Sequence, residues 1–190
     1  MLIGGQTVRK LNRKSIENIA RNDEILKLPA YLERWADIGV DAFIVADIGV
    51  LSLCKKYAPN VPIHISTQAG IVNYVTANEF YNMGASRVVT ARELSMTEIA
   101  EIRAKVPKDL EIECFVHGAM CMAYSGRCLL SSFLSNRSGN RGECSQPCRW
   151  NYSIVEEKRP EMLFPIEQQE GVGTFIMSSK DMCMIEHIPE

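Results

Sequence analysis

Cysteine is the residue type that stands out in this sequence, because four of its seven cysteines fall within residues 121–148. They are Cys121, Cys128, Cys144 and Cys148, and glycines and arginines surround them. Thiols gathered in this way serve one of three kinds of chemistry: a disulfide knot, a metal site or a reactive nucleophile. The rest of the chain has to distinguish among the three.

The lack of a signal-peptide or membrane-span pattern disfavours the disulfide knot. The chain has 190 residues, 46% of them hydrophobic, which is enough for one globular domain with a core. The N-terminus has no apolar run of signal-peptide length, and no segment approaches the ~18 apolar residues of a membrane span. We therefore expect a cytoplasmic protein with no membrane partner and with reduced thiols. A net charge of −2 gives no overall attraction to nucleic acid, so such a contact needs a local patch.

The spacing of the cysteines permits a metal site without identifying the metal. Zinc knuckles and ribbons use pairs of cysteines two to four residues apart, and only Cys144 and Cys148 come near this. The closely spaced run of bacterial ferredoxins is absent. Free structural thiols therefore stay an alternative. A cysteine nucleophile needs a neighbouring histidine, and His117 with Cys121 is the local pair that can serve.

The middle of the chain alternates between helical and extended patterns. Strands are predicted in the stretches AFIVAD, PIHIST, RVVTA and EIECFVHG, with an amphipathic or apolar helix before or between them. This spacing is typical of successive βα units with a parallel sheet. We therefore predict an α/β fold, either a doubly wound sheet or a TIM-barrel-like (β/α) barrel. Because only about half of a barrel's usual length is present, we expect a truncated barrel.

Three segments depart from this repeat. Residues 1–17 are not placed by any pattern, whereas residues 18–190 form the predicted partial barrel domain. A Cys-rich loop covers residues 117–150. Residues 151–178 read as a β-hairpin insertion, in which NYSIVEE and TFIMSS are the strands and a polar, proline-containing loop separates them.

Polar residues at the predicted strand ends are candidate substrate contacts, because barrel enzymes place their chemistry at the carboxyl ends of the strands. They are Thr67, Gln68, Arg92, Glu93 and His117. Arg92 suits a carboxylate or phosphate, although a structural pair with Glu93 is an equal alternative. Arg149, with the other arginines of the Cys-rich loop, can either meet phosphates or remain solvated. His117 is the candidate catalytic histidine, with a supporting structural role as the alternative.

The stretch ECFVHGAMCMAYSGRCLLS resembles the signature of the collagenase-like peptidase family of unassigned catalytic type. That signature reads Glu-x-Phe-x-x-Gly, a small residue, an aliphatic residue, Cys, four residues, Gly-x-Cys-x-aliphatic-Ser, and each specified position is met. The NRGECSQPCRW block, residues 156–190 and the stretch ARNDEILKLPAYLERWADIGVDAFIVAD resemble the same family. More narrowly, they are similar to its bacterial tRNA-hydroxylation proteins, which act on the wobble uridine.

This resemblance implies a function and a ligand set. Members of this kind are oxygen-independent hydroxylation proteins for tRNA, ribosomal RNA or quinone precursors, and hold a [4Fe–4S] cluster on four cysteines. The matching positions here are Cys121, Cys128, Cys144 and Cys183, with Cys148 as the runner-up ligand. For the tRNA branch the resemblance also implies formation of 5-hydroxyuridine, a link to prephenate as co-substrate, and tRNA as partner. A second family member or a second copy of the chain is a further expected partner.

Several residues have structural interpretations, and one other function remains open. Cys54 and Cys114 are expected to be small core residues, and His64 a core or lining residue. The family name suggests a peptidase, a hydrolase acting on collagen-like chains. The sequence has neither an HExxH zinc motif nor a GxSxG elbow, so a peptidase would depend on Cys121 with His117.

Overall fold

The structure is a computed structural model that describes residues 2–3, 6–7, 12–16, 20–119, 121, 123, 127–165 and 181–183. The chain divides into two compact units, residues 1–113 and residues 114–190, and each is described by itself. None of the helices in the described ranges is long and apolar enough to cross a membrane.

A parallel sheet is the framework of the first unit. Two short strands, β1 (Leu2–Ile3) and β2 (Gln6–Thr7), pair with each other antiparallel. The sheet itself contains β3 (Arg13–Ile16), β4 (Ala42–Val45), β5 (Ile63–Ile65), β6 (Arg87–Val89) and β7 (Glu111–Glu113), in that spatial order. Every neighbouring pair in it is parallel. The prediction of an α/β fold with successive parallel strands is confirmed.

Helices alternate with these strands as the sequence predicts. They are α1 (Asn22–Ile25), α2 (Leu28–Ile38), α3 (Ile48–Tyr57), α4 (Tyr74–Asn82) and α5 (Met96–Lys105). Helix α2 ends at Gly39, whose φ of +80° is the left-handed conformation that glycine adopts without strain. A glycine at this position explains why α2 ends there.

The two faces of the sheet differ in chemistry. Phe43 lies beside Ile63, and Val45 beside Ile65, so these residues share one face. They are buried in one apolar cluster with residues of the helices, such as Leu32. Side chains alternate along a strand, so the opposite face carries the intervening residues. Those residues include five with ionisable side chains: Arg13, His64, Arg87, Glu111 and Glu113.

One ion pair shows that the sheet is curved. Arg13 in edge strand β3 contacts Glu113 in the opposite edge strand β7, with 2.6 Å between Nη1 and Oε2. In a flat sheet four strand spacings would separate these strands by about 19 Å, which is beyond the combined length of the two side chains. The sheet therefore curves around its polar face. It is not closed among the described residues, so the predicted barrel is not confirmed.

The second unit consists of short elements around the cysteines. They are β8 (His117–Ala119), α6 (Leu130–Ser135), β9 (Ser153–Glu156), β10 (Arg159–Pro165) and β11 (Asp181–Cys183), with 3-10 turns at Gly139–Arg141 and Pro147–Arg149. The stretch EIECFVHG was expected to be one strand. Instead β7 ends at Glu113, and β8 begins at His117 and pairs antiparallel with β11.

A β-hairpin forms after residue 150, with its first strand in the predicted NYSIVEE stretch but its second strand elsewhere. Strand β9 pairs with β10, which lies in the stretch expected to be a loop, and a two-residue turn at 157–158 joins them. The register shifts between Arg159 and Leu163, and Pro160 lies in this irregular section. A proline there removes no regular ladder hydrogen bond, which is why a proline-containing segment can form this strand. The TFIMSS stretch lies outside the described residues.

Asp47 connects β4 to α3 through a helix cap. Its Oδ1 accepts a hydrogen bond from the Val50 N–H at 2.9 Å, and its backbone is extended, as expected at an N-cap. We predict that Asp47→Ala lowers the free energy of unfolding by about 1 kcal/mol, because one helix N–H loses its acceptor. Urea unfolding followed by circular dichroism measures this, with Asp47→Asn, which keeps an acceptor, as the control. An equal loss in both variants would contradict the capping role.

Candidate metal centre

Two cysteine sulfurs accept hydrogen bonds from backbone N–H groups two residues further along the chain. The Leu130 N–H donates to Cys128 Sγ, and the Gln146 N–H donates to Cys144 Sγ, each at 3.3 Å. Such a bond stabilises a sulfur that carries negative charge, as in a metal-bound thiolate. Gln146 adopts a left-handed backbone, with φ of +55°, next to the second of these sulfurs.

The same turn of the chain contacts both cysteine segments. Asn140 Oδ1 accepts a hydrogen bond from the Cys128 N–H at 3.3 Å. The neighbouring Gly139 lies so close to Cys144 that an added Cβ would be 3.7 Å from Cys144 Sγ. The turn at Gly139–Arg141 therefore holds the backbones around Cys128 and Cys144 near each other.

A cluster of three serines fixes the Cys144 segment against α6. Ser131 is buried, and its Oγ accepts a hydrogen bond from the Ser145 N–H at 3.0 Å. The Ser135 and Ser145 hydroxyls lie 2.6 Å apart, and Ser135 Oγ also donates to the Ser131 carbonyl at 2.8 Å. Ser131 is the final residue of the matched signature, so the structure gives that position a role in positioning Cys144.

Strand pairing places the backbone of Cys183 close to the start of the Cys-rich segment. In the β8–β11 pair, Cys183 lies directly opposite His117. Cys121 follows the end of β8 after one intervening residue. Local sequence patterns do not reveal this pairing, because the two strands are more than sixty residues apart. The side chain of Cys183 lies outside the described part of the structure.

The remaining thiols have different surroundings. Cys54 is fully buried in α3, and burial raises the pKa of its thiol to about 12, so it stays protonated as a core residue. Cys114 is half-buried and lies just past the end of β7. The expectation that it is a core residue within a buried strand is therefore wrong. Cys148 is half-buried in the turn at Pro147–Arg149, whereas Cys144 is exposed. Cys121 and Cys128 are half-buried.

The donor set suits a metal that prefers sulfur. Thiolates with N–H···S hydrogen bonds fit an iron–sulfur cluster or zinc better than hard cations, which take oxygen ligands. Among the described side chains, no group of three or more His, Cys, Asp or Glu is gathered tightly enough to bind a metal ion. The four-cysteine ligand set is thus a prediction that this structure does not test.

The predicted strand-end residues of the first unit lie in two adjacent loops. The Thr67 hydroxyl is buried and donates to the Thr90 carbonyl at 3.0 Å, and the Ala91 N–H donates to the Ile71 carbonyl at 2.9 Å. These bonds hold the loop with Thr67 and Gln68 next to the loop with Arg92 and Glu93. Gln68 and Arg92 are half-buried and Glu93 is exposed. Their role as substrate contacts stays a prediction.

His117 and Arg149, the other two candidate site residues, belong to the second unit, where His117 is exposed and Arg149 half-buried.

A charged cluster on the polar face of the sheet was not predicted from the sequence. Arg87 donates to Glu111 Oε2 at 2.6 Å and to Glu113 Oε2 at 2.8 Å, and Arg13 donates to Glu113 Oε2 at 2.6 Å. Burial alone would raise the pKa of Glu113, but the hydrogen bonds from both arginines outweigh it and lower that pKa. Glu113 is the first residue of the matched signature, and here it joins the two edge strands.

His64 lies in β5 beside Arg87 and is buried, with only 4% of its surface exposed. No hydrogen-bond partner for its Nδ1 occurs within the described residues. Burial lowers the pKa of His64 to about 4, and the positive charges of Arg87 and Arg13 add to this, against the opposing effect of Glu113 and Glu111. The imidazole is therefore neutral at pH 7.

This pKa predicts a pH dependence of stability. Between pH 6.5 and about 4 the unfolded state binds a proton at His64 that the folded state does not, so stability falls as the pH falls. The loss amounts to as much as about 1.4 kcal/mol per pH unit in that window. We expect His64→Gln to flatten the dependence, measured by urea unfolding between pH 4 and 8. The exposed His117→Gln is the control, and an unchanged slope in His64→Gln would contradict the assignment. Glu113 also makes stability depend on pH, but at a lower pH than His64 does. Its pKa in the folded state lies below the ordinary value of 4.5, so its contribution is lost only as the pH falls below that value.

Comparison with known proteins identifies the family. The model of peptidase family U32 matches residues 14–190, and the chain belongs to this family. It is 42% identical over 178 residues to tRNA hydroxylation protein P of Helicobacter pylori (strain J99), an alignment that covers 93% of this chain and 42% of that protein. It is 37% identical over 144 residues to the 23S rRNA 5-hydroxycytidine synthase of Escherichia coli (strain K12), covering 76% of this chain and 21% of that protein.

One solved structure is also similar. The U32 peptidase Mk0906 matches with a TM-score of 0.48 and 20% identity, over 57% of this chain and 46% of that one. The chain spans less than half the length of each of these three relatives.

Proposed function

We propose that this chain is part of an oxygen-independent hydroxylation protein that forms 5-hydroxyuridine at the wobble position of tRNA. Cys121, Cys128, Cys144 and Cys183 are its proposed [4Fe–4S] ligands, and prephenate is its linked co-substrate. The observation that carries the RNA function is the 42% identity, over 93% of the chain, to a relative named as a tRNA hydroxylation protein. The cysteines fall inside the region that the family model matches.

The local geometry supports thiolate ligation. N–H···S hydrogen bonds at Cys128 and Cys144, and the β8–β11 register that pairs Cys183 with His117 at the start of the Cys-rich loop, are compatible with a shared sulfur-liganded centre. Such a cluster supplies electron transfer or a Lewis-acidic iron. In this proposal the serine cluster and the Gly139–Arg141 turn hold the Cys128 and Cys144 segments in place for ligation.

Three other functions compete with this one. Hydroxylation of ribosomal RNA is favoured by the similarity to the 5-hydroxycytidine synthase, and a quinone precursor would be a third substrate for the same chemistry. The peptidase function implied by the family name would use Cys121 as a nucleophile beside His117. It predicts that Cys121→Ser abolishes cleavage of denatured collagen and that the wild-type chain contains little metal.

Nucleoside analysis of cellular RNA tests the proposed substrate. The chain is expressed in an anaerobic bacterial culture that lacks its own U32 tRNA-hydroxylation gene, and 5-hydroxyuridine in tRNA is quantified by mass spectrometry. We expect the wild type to restore it and Cys128→Ala to fail. Formation of 5-hydroxycytidine in ribosomal RNA instead would favour the first alternative. If an iron-loaded wild-type chain formed no hydroxylated nucleoside, the proposal would be wrong.

A further inference from the structure

An exposed aromatic side chain lies on α6, the helix that begins two residues after Cys128. Phe133, in α6, has 86% of its surface exposed, and Leu129, one helical turn earlier, has 72%. The same short helix packs its serine face against the Cys144 segment. The opposite side of α6 therefore presents a phenyl ring to solvent within a few residues of Cys128.

The charge around this helix is strongly biased. Within residues 127–150 the basic residues are Arg127, Arg137, Arg141 and Arg149, and the one acidic residue is Glu143. Arg127 and Arg137 flank α6 and are exposed. An exposed aromatic ring between arginines is the combination that binds single-stranded nucleic acid, because bases stack on the ring and phosphates meet the guanidinium groups.

Another exposed apolar surface of this unit, on the β9–β10 hairpin, has more acidic than basic residues around it. Ile154 and Leu163 of the β9–β10 hairpin are 60% and 64% exposed. Residues 153–165 contain three acidic residues, Glu156, Glu157 and Glu161, against Lys158 and Arg159. Acidic groups repel phosphates, so the hairpin does not suit RNA. It provides a matched control surface of exposed apolar side chains.

We propose that the surface formed by Phe133, Arg127 and Arg137 binds an unpaired segment of the RNA substrate, with one base stacked on Phe133. This inference rests on the proposed function, which it deepens by naming the contact surface and the single-stranded form of the partner. The wobble nucleotide of tRNA lies in a loop of this kind. The surface would hold that loop on α6, the helix that follows Cys128 in the chain.

Binding measurements with defined RNA test this surface. Fluorescence anisotropy of a labelled anticodon stem–loop, with a fully paired duplex of the same length for comparison, gives the Kd for the iron-loaded chain. We expect Phe133→Ala to raise the Kd for the stem–loop about tenfold or more, and Phe133→Tyr to change it less than about twofold. Arg137→Gln should lower the slope of log Kd against log salt concentration by about one, which is the contribution of one phosphate contact. Leu163→Ala, on the hairpin, should leave the Kd unchanged.

Several outcomes would contradict the proposal that this surface binds unpaired RNA. Unchanged stem–loop binding by Phe133→Ala, an equal loss in Leu163→Ala, or equally tight binding of the duplex would each do so. The same holds if Phe133→Ala changes only self-association in sedimentation, since the occupant would then be a second copy of the chain. Iron and sulfide contents of each variant show that the centre is intact. If the wild type forms 5-hydroxyuridine while binding is insensitive to Phe133, the surface is wrong and the function stands. If the iron-loaded wild type forms no hydroxylated nucleoside, the function itself is wrong.

Discussion

We expect the anaerobically reconstituted wild-type chain to bind about four irons and four sulfides, and we expect Cys128→Ala and Cys144→Ala to lose most of both. Both sulfurs accept a backbone N–H, and neither can be replaced by a methyl group as a ligand. Cys121→Ala and Cys183→Ala should behave in the same way. Iron, acid-labile sulfide and the visible absorption spectrum measure the effect.

Two further cysteines provide the controls for this experiment. Cys54→Ala should retain full iron, because its thiol is buried in α3 and remains protonated. Cys148→Ala distinguishes the runner-up ligand: we expect it to keep its cluster. Loss of iron in Cys148→Ala but not in Cys144→Ala would reverse that assignment. Zinc in place of iron, or a folded wild type that takes up no metal, would contradict the cluster altogether.

The sequence predicts those parts of the fold that are determined locally. The β-branched run at Ala42–Val45 is a buried strand, and α2 ends at Gly39, where a left-handed residue is needed. The strand Arg13–Ile16 was missed because its sequence, RKSI, has no apolar run. Its polar residue Arg13 faces the inside of a curved sheet, where the ion pair with the distant Glu113 makes that placement favourable.

The candidate site was predictable in its residue types but not in its construction. The matched signature names Cys121 and Cys128. The pairing that places the Cys183 backbone opposite His117, however, joins two strands that are far apart in the sequence. The hydrogen bonds of Ser131 with Ser145 are likewise non-local, and serines carry no periodic signal. The hairpin was assigned to the wrong second strand because Pro160 is read locally as a loop residue, whereas the irregular register accommodates it.

Phe43→Ala should produce the largest loss of stability in the first unit, about 3–5 kcal/mol. Phe43 has no exposed surface, and its ring lies 6.2 Å from that of Trp35, between the sheet and α2. Removing it leaves a cavity in the apolar cluster that holds β4 in place, and so disturbs the strand that leads to the cap at Asp47. Because domains are stable by about 5–15 kcal/mol, this loss is a large fraction of the total.

Trp35 fluorescence during urea unfolding measures this loss, in a Trp150→Phe background that removes the other tryptophan. Tyr31→Ala is the matched control, because Tyr31 stacks on the same Trp35 at 5.7 Å but is half exposed, and we expect it to cost less than about 1.5 kcal/mol. Phe43→Leu, which keeps most of the volume, should cost less than Phe43→Ala. Equal midpoints for Phe43→Ala and Tyr31→Ala would contradict the prediction that Phe43 lies at the centre of the core of the first unit.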